Sequence, residues 1–198
     1  MKKLSLMTFI FIGLTACSQS GNPTEEKIRA ALADKVNKKG CASSVLFKEF
    51  PIPKSQQTNN NQRIIQPFIN VGLIEDSGDA YLLTEQGRSA YDQNASGFCY
   101  TDQYTISDIS VVKKEMESDL PSALSGAWYV TFKVSPQNVD DWVKTPEIIQ
   151  AASRASVEDV TKIHSFTVRL ATKHGEEQLI VADPRFSFSP GIHFNMGW

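Results

Sequence analysis

The sequence predicts an α+β fold in which helices dominate the first half and an antiparallel sheet dominates the second. Apolar residues recur at helical spacing near the start, as at Ile28, Leu32 and Val36. In the second half the apolar spacing changes to two residues, most clearly over 127–135, which is typical of strands with one buried face. These two patterns predict a helical module followed by a sheet domain.

The first seventeen residues have the pattern of an export signal. Lys2 and Lys3 precede an uncharged apolar run, which is shorter than the roughly 20 apolar residues that a permanent membrane helix needs. The run ends in Leu14-Thr15-Ala16-Cys17, which resembles the lipobox of bacterial lipoproteins. In that family a signal peptidase cuts before the cysteine, whose thiol carries diacylglycerol. An ordinary secretory signal with a chance cysteine is the alternative.

The lipobox resemblance implies that residues 1–16 are removed and that Cys17 anchors the mature chain by three acyl chains, palmitate among them. A single acyl chain would hold a protein at a membrane only marginally. Ser18 follows the cysteine where an aspartate would favour the inner membrane, so we expect a periplasm-facing protein on the outer membrane. Residues 17–23 are mostly small and polar and predict a short tether.

Composition argues against a protein that coats nucleic acid. Removal of residues 1–16 leaves 18 basic residues against 22 acidic ones, a formal charge of about −4. The 182 residues that remain are enough for one good-sized core or two small domains.

Cys41 and Cys99 are the two cysteines left once Cys17 carries lipid. An exported chain folds in an oxidising compartment, so we expect these two to form a disulfide. Two free thiols or a metal site are the alternatives, although two cysteines without nearby histidines make a poor zinc site.

A first helix is predicted after the tether. Asn22 can cap it, Pro23 suits its first turn, and residues 38–40 provide a stop. The apolar stretch 41–53 is predicted to be extended or irregular because two prolines interrupt it, and 54–62 is a polar loop.

A second helix is predicted from about residue 62 to 71, followed by a hairpin. The hairpin turn is Asp-Ser-Gly-Asp at 76–79, residue types that tolerate the positive φ that such turns need. Thr84 can then cap a third helix from Glu85 to about Gln93.

The run IIQPFINVGLIEDSGDAYLLTEQGRSAY, residues 64–91, is similar to the recognition helix, wing and following helix of winged-helix regulators. The resemblance implies a winged-helix-like module over 24–100, although one helix of the usual three is not evident between 41 and 60. That module holds nine basic and nine acidic residues, and its wing is acidic at 75–79. We therefore predict no nucleic-acid binding, because an acidic wing repels phosphates.

Residues 101–198 are predicted to form a small antiparallel α+β domain. Alternating apolar residues predict strands over 104–112, 127–135, 164–172 and 177–183. Thr145 and Pro146 begin a helix between the second and third of these strands. The order β-β-α-β-β implies an antiparallel sheet with one packed helix.

No pattern in the sequence predicts catalysis, a metal or a cofactor. His164, His174 and His193 lack helical metal spacing, and neither Gly-x-Ser-x-Gly nor a glycine-rich phosphate loop occurs. The paired acids at 140–141 and 176–177 fall in predicted turns, where solvated charge is the ordinary interpretation. A cell-envelope hydrolase that uses His193 or His164 is the alternative hypothesis.

Aromatic residues are the remaining candidates for a binding surface. Trp142, Phe194 and Trp198 could contact a partner, since aromatic side chains are enriched at interface hot spots. Packing in the core, or docking of the aromatic tail on its own sheet, is the alternative. The sequence as a whole favours a non-catalytic, membrane-anchored envelope lipoprotein, either structural or bound to an unidentified envelope protein.

Overall fold

The structure, a computed structural model, describes residues 21–152 and 160–194. Within them the chain forms four α-helices and three small sheets, which confirms the predicted α+β class. The predicted signal peptide, Cys17 and Trp198 lie outside the described residues.

Helices and strands alternate in the first half, and long strands dominate the second. The helices are α1 (Glu25–Val36), α2 (Asn59–Asn70), α3 (Glu85–Ala90) and α4 (Pro146–Ala151). The strands are β1 (Gly40–Ser43), β2 (Ile52–Pro53), β3 (Ile74–Ser77), β4 (Ala80–Leu83), β5 (Tyr91–Asp92), β6 (Gly97–Thr101), β7 (Tyr104–Lys114), β8 (Leu124–Pro136), β9 (His164–Lys173), β10 (Leu179–Val181) and β11 (Ile192–His193).

The strands form three sheets with the orders β11-β1-β6-β5, β10-β9-β8-β7 and β2-β4-β3. Every pairing is antiparallel except that of β11 with β1, where Ala42 pairs with Ile192. After the hairpin sheet the chain returns to its first sheet at β5 and β6, and it returns there again at β11.

Side-chain caps set the starts of the two long helices. The cap of helix α1 lies two residues later than the predicted Asn22, because the Thr24 hydroxyl accepts the Lys27 N–H at 3.4 Å. Helix α2 begins before the predicted residue 62, because the Thr58 hydroxyl accepts the Asn61 N–H at 3.2 Å. Polar segments contain several residues that can cap a helix. The residue that caps each helix is therefore not fixed by the apolar pattern.

The predicted hairpin at 74–83 and its Thr84 cap are confirmed. Thr84 Oγ1 donates to the Gly72 carbonyl at 2.6 Å and accepts the Gly87 N–H at 2.9 Å. Helix α3 ends at Ala90, before the predicted Gln93, because residues 91–92 pair with β6 as the edge strand β5.

The first core lies between α2 and the sheet β11-β1-β6-β5. Phe47, Phe68 and Phe98 lie at its centre, and all three are fully buried. Their ring centroids are 4.7 to 5.3 Å apart, in edge-on and stacked contacts.

The second core lies between α1 and one face of the sheet β10-β9-β8-β7. Strand β8 contributes Val130, Phe132 and Val134, which alternate with half-buried or exposed residues. The opposite face of this sheet carries polar side chains, as expected for an antiparallel sheet covered on one side.

The packing crosses the predicted boundary at residue 100 in both directions. Helix α1 packs through Ile28, Leu32 and Val36 into the second core rather than against the hairpin. Conversely, Trp142 and Phe194 pack in the first core. A winged-helix module over 24–100 would use α1 as its first helix, but α1 packs on the sheet β10-β9-β8-β7. The winged-helix interpretation therefore stays a prediction.

Candidate functional site

The predicted disulfide joins β1 to β6. Cys41 and Cys99 are direct partners in the antiparallel register of the two strands, and their sulfurs are bonded. Cys41 is 5% exposed, whereas Cys99 is half-buried and lines a cleft. The disulfide therefore fixes one wall of that cleft.

This cleft, the acidic cleft, has a volume of about 530 Å³. It lies between α3, β6 and the segment 137–142 that follows β8. One ammonium, Lys39, and four carboxylates line it: Asp92, Asp102, Asp140 and Asp141. Lys144 also lies 2.9 Å from Asp141, so two acids remain in excess of these two bases and the cleft has a negative potential.

Hydrogen bonds hold the segment 137–142 against the turn between β6 and β7. The side chain of Gln103 donates to that of Gln137 at 2.6 Å, and the Gln137 N–H donates to the Gln103 carbonyl at 3.1 Å. Thr101 Oγ1 donates to the Gln137 carbonyl and to the Gln103 carbonyl. The Asp140 N–H donates to the Tyr100 carbonyl at 2.9 Å, so this wall is fixed at both of its ends.

The Lys39–Asp92 ion pair lies at the edge of the acidic cleft, with Nζ and Oδ2 3.0 Å apart. The lysine ammonium holds the pKa of Asp92 below its usual value, and Asp92 in turn raises the pKa of Lys39. Backbone N–H groups of Asn94 and Ala95 also donate to Asp92, which stabilises its charged form. Both Lys39 and Asp92 are therefore charged at neutral pH.

Trp142 contributes the inner wall of the cleft. Its indole N–H donates to Asp140 Oδ2 at 3.3 Å, while its ring lies 7% exposed against Phe68 and Tyr100. The structure therefore places Trp142 in the first core. Phe194 is likewise 3% exposed, with its ring 5.2 Å from that of Phe68.

Both rings thus pack in the first core, and a role of Trp142 and Phe194 in partner contact stays a prediction. Both rings contact Phe68, with centroids 6.2 Å from its ring for Trp142 and 5.2 Å for Phe194. Of the two alternatives for these residues, the structure shows core packing.

A second concave surface of about 620 Å³ lies on the polar face of the sheet β10-β9-β8-β7. Arg169 donates from Nε and Nη2 to the two carboxylate oxygens of Glu115, at 2.8 and 2.7 Å. Arg169 and a hydrogen bond with Tyr129 lower the pKa of Glu115. Basic and acidic residues are equal in number here, so we assign this polar basin a structural role that links β9 to the end of β7.

The three histidines do not gather into a site. His164 begins β9, with its ring 6.2 Å from Phe166, His174 is exposed in the turn after β9, and His193 lies on β11. No histidine lines the acidic cleft or the polar basin. Across residues 21–152 and 160–194, no group of three or more His, Cys, Asp or Glu is placed to hold a metal ion.

The residues of the acidic cleft were not predicted together from the sequence. Lys39 follows α1, Asp92 ends β5 and Asp102 follows β6. The sequence pattern singles out only the paired acids at 140–141, and it predicts solvated charge in a turn for them. The two cysteines could have indicated the cleft, because a disulfide between 41 and 99 brings the nearby charges at 39 and 102 close in space.

Searches of protein-family models, characterised proteins and solved structures find nothing that matches this chain. The lipobox and winged-helix resemblances therefore stay predictions. In the part of the chain that the structure describes, no helix has both the length and the apolar character required to cross a membrane.

Proposed function

We propose that the chain is a non-catalytic, lipid-anchored envelope protein that binds another envelope protein. The observation that carries this proposal is the N-terminal series of two lysines, an uncharged apolar run and Leu14-Thr15-Ala16-Cys17. Three acyl chains on Cys17 would hold the protein at a membrane surface, with residues 17–23 as the tether and the folded part on the periplasmic side.

We assign partner binding to the acidic cleft. Its carboxylates at Asp102 and Asp140 are exposed, whereas the backbone that carries them is fixed by the disulfide and by the Gln103–Gln137 contact. A surface that is ordered before binding loses little conformational entropy when it binds. Its negative potential favours a positively charged segment of the partner protein, since complementary charge speeds encounter and suppresses wrong partners.

Lipid anchoring is tested by labelling growing cells with a palmitate analogue. We expect the wild-type protein to incorporate the label and a Cys17→Ser variant to lose it, because acylation requires the thiol. A Cys41→Ala/Cys99→Ala variant is the control and should keep the label. Equal labelling of the wild type and Cys17→Ser would contradict the proposal.

Partner binding is tested by cross-linking in intact cells, followed by purification from detergent-solubilised membranes. We expect a specific cross-linked protein whose yield falls by about tenfold in an Asp102→Asn/Asp140→Asn variant, because loss of two charges weakens the electrostatic attraction. The control is Glu177→Gln, which removes an exposed charge at the opposite end of the β8–β9 pair. A partner retained equally by all three proteins would assign binding to another surface.

A further inference from the structure

The disulfide is accessible from one side only. Strand β11 pairs with β1, and the Gly191 Cα lies so near this strand that an added Cβ would be 2.7 Å from the Cys41 carbonyl oxygen. Cys41 is 5% exposed beneath this cover. Cys99 is half-buried and forms part of the wall of the acidic cleft. A small reagent therefore reaches the disulfide through the cleft, at Cys99.

The charges of the cleft act on the species that breaks disulfides. The attacking species is a thiolate, which is an anion. Four carboxylates surround the approach, and two of them are paired, Asp92 with the Lys39 ammonium and Asp141 with that of Lys144, so the cleft keeps an excess of negative charge. Exposed charges interact over about 10 Å at moderate salt, so the carboxylates that line the cleft act on a reagent inside it. A thiolate reagent with more negative charge is therefore repelled more strongly by the cleft.

We propose that Cys99 is a thiol–disulfide exchange site and that the acidic cleft selects thiols by charge. A thiolate bonds to Cys99 Sγ, the bond between the two cysteine sulfurs breaks, and Cys41 Sγ leaves with the electron pair and takes a proton. A second thiolate then attacks the reagent sulfur of the mixed disulfide and releases Cys99 as a thiolate. Two thiols are oxidised to one disulfide, and the protein disulfide is reduced to two thiols. Positively charged thiols, including those presented by a basic protein surface, are preferred.

The test compares three small thiols on the purified full-length mature protein in neutral detergent. Cysteamine, 2-mercaptoethanol and mercaptoacetate attack as thiolates with net charges of zero, minus one and minus two. Rates are measured by alkylating the released Cys41 and Cys99 and following the two peptides by mass, so the state of Cys17 does not matter. Each rate is expressed per thiolate and divided by the rate of the same thiol on bis(2-hydroxyethyl) disulfide.

We expect the normalised rate to be highest for cysteamine, lower for 2-mercaptoethanol and lowest for mercaptoacetate. At low salt the rate for cysteamine should be on the order of fivefold to tenfold higher than that for mercaptoacetate. The preference should shrink at high salt and in Asp102→Asn/Asp140→Asn, and should persist in the control Glu177→Gln. We also expect Cys99 to carry the reagent in the trapped mixed disulfide. Equal normalised rates, a preference unchanged in the double variant, or a reagent found mainly on Cys41 would each overturn the proposal.

Discussion

Gly87 is a point of close approach between α3 and Leu73, the residue before β3. A Cβ at this position would lie 1.9 Å from the Leu73 carbonyl oxygen, which is backbone and cannot move aside without shifting the hairpin. We expect Gly87→Ala to lower the free energy of unfolding by about 2–4 kcal/mol, measured by urea denaturation.

The matched control is Gly78→Asn, in the hairpin turn. Gly78 has φ +67°, which asparagine tolerates, and nothing lies within 4 Å of an added Cβ. We expect a change within about 1 kcal/mol. If the two variants were equally stable, the close contact of α3 with Leu73 would be wrong.

The Arg169–Glu115 pair makes stability depend on pH in a known direction. The folded protein lowers the pKa of Glu115, so this carboxylate stabilises the fold above its unfolded pKa, and the contribution disappears as pH falls through the lower, folded pKa. We expect Glu115→Gln to lower the free energy of unfolding by about 1–2 kcal/mol at pH 7. The difference from the wild type should shrink between about pH 5 and pH 3.

The control for this pair is Asp108→Asn, since the exposed ion pair of Asp108 with Lys133 has both side chains in water. Asp108 has φ +49°, which asparagine also adopts, so the backbone is undisturbed. We expect a change below about 0.5 kcal/mol at every pH. A Glu115→Gln effect that does not vary with pH would show that its charge is not what stabilises the sheet.

Strand β11 is the element that decides between a docked tail and a partner surface. The Phe194 N–H donates to the Ser43 carbonyl at 3.0 Å, and the ring is buried against Phe68. We expect Phe194→Ala to lower the free energy of unfolding by about 3 kcal/mol, as for other buried aromatic deletions. Val45→Ala, at a site 71% exposed, is the control and should change it by less than about 0.5 kcal/mol. Equal free energies of unfolding for the two variants would contradict the burial of Phe194 in the first core.

At the scale of elements, the sequence predicted local structure better than packing. The hairpin at 74–83, its Thr84 cap and the alternating strands follow from turn chemistry and side-chain period, which act over a few residues. The partner of an amphipathic helix does not follow from its own pattern. Helix α1 would present the same apolar face to either core, so its position against the second sheet could not be predicted.

At the scale of the whole molecule, both halves of the chain contribute to both cores, and the disulfide joins Cys41 to Cys99, which are 58 residues apart in the sequence. We expect Cys41→Ala/Cys99→Ala to lower the free energy of unfolding by about 4 kcal/mol, because the unfolded chain gains entropy. We also expect one cooperative transition in calorimetry for the wild type, since helix α1 packs in the second core while Trp142 and Phe194, from the other half of the chain, pack in the first. Two separate transitions would indicate independent domains on either side of residue 100.

The acidic cleft shows why a site of this kind is hard to predict. Lys39 follows a helix, Asp92 ends an edge strand, and Asp102 and Asp140 lie in two turns about 40 residues apart. No motif links such residues, because backbone pairing and one disulfide bring them together rather than sequence spacing. The cysteine pair was predicted from the expected export to an oxidising compartment, and it is the feature of the cleft that joins two of its elements.

The mass of the native protein tests the central claim most directly. We predict that material purified from membranes begins at Cys17, lacks residues 1–16 and carries the added mass of three acyl chains on that residue. A native protein that retains Met1 and carries no fatty acid would contradict the account. It would then have to be placed in the cytosol, and nucleic-acid binding would have to be considered again.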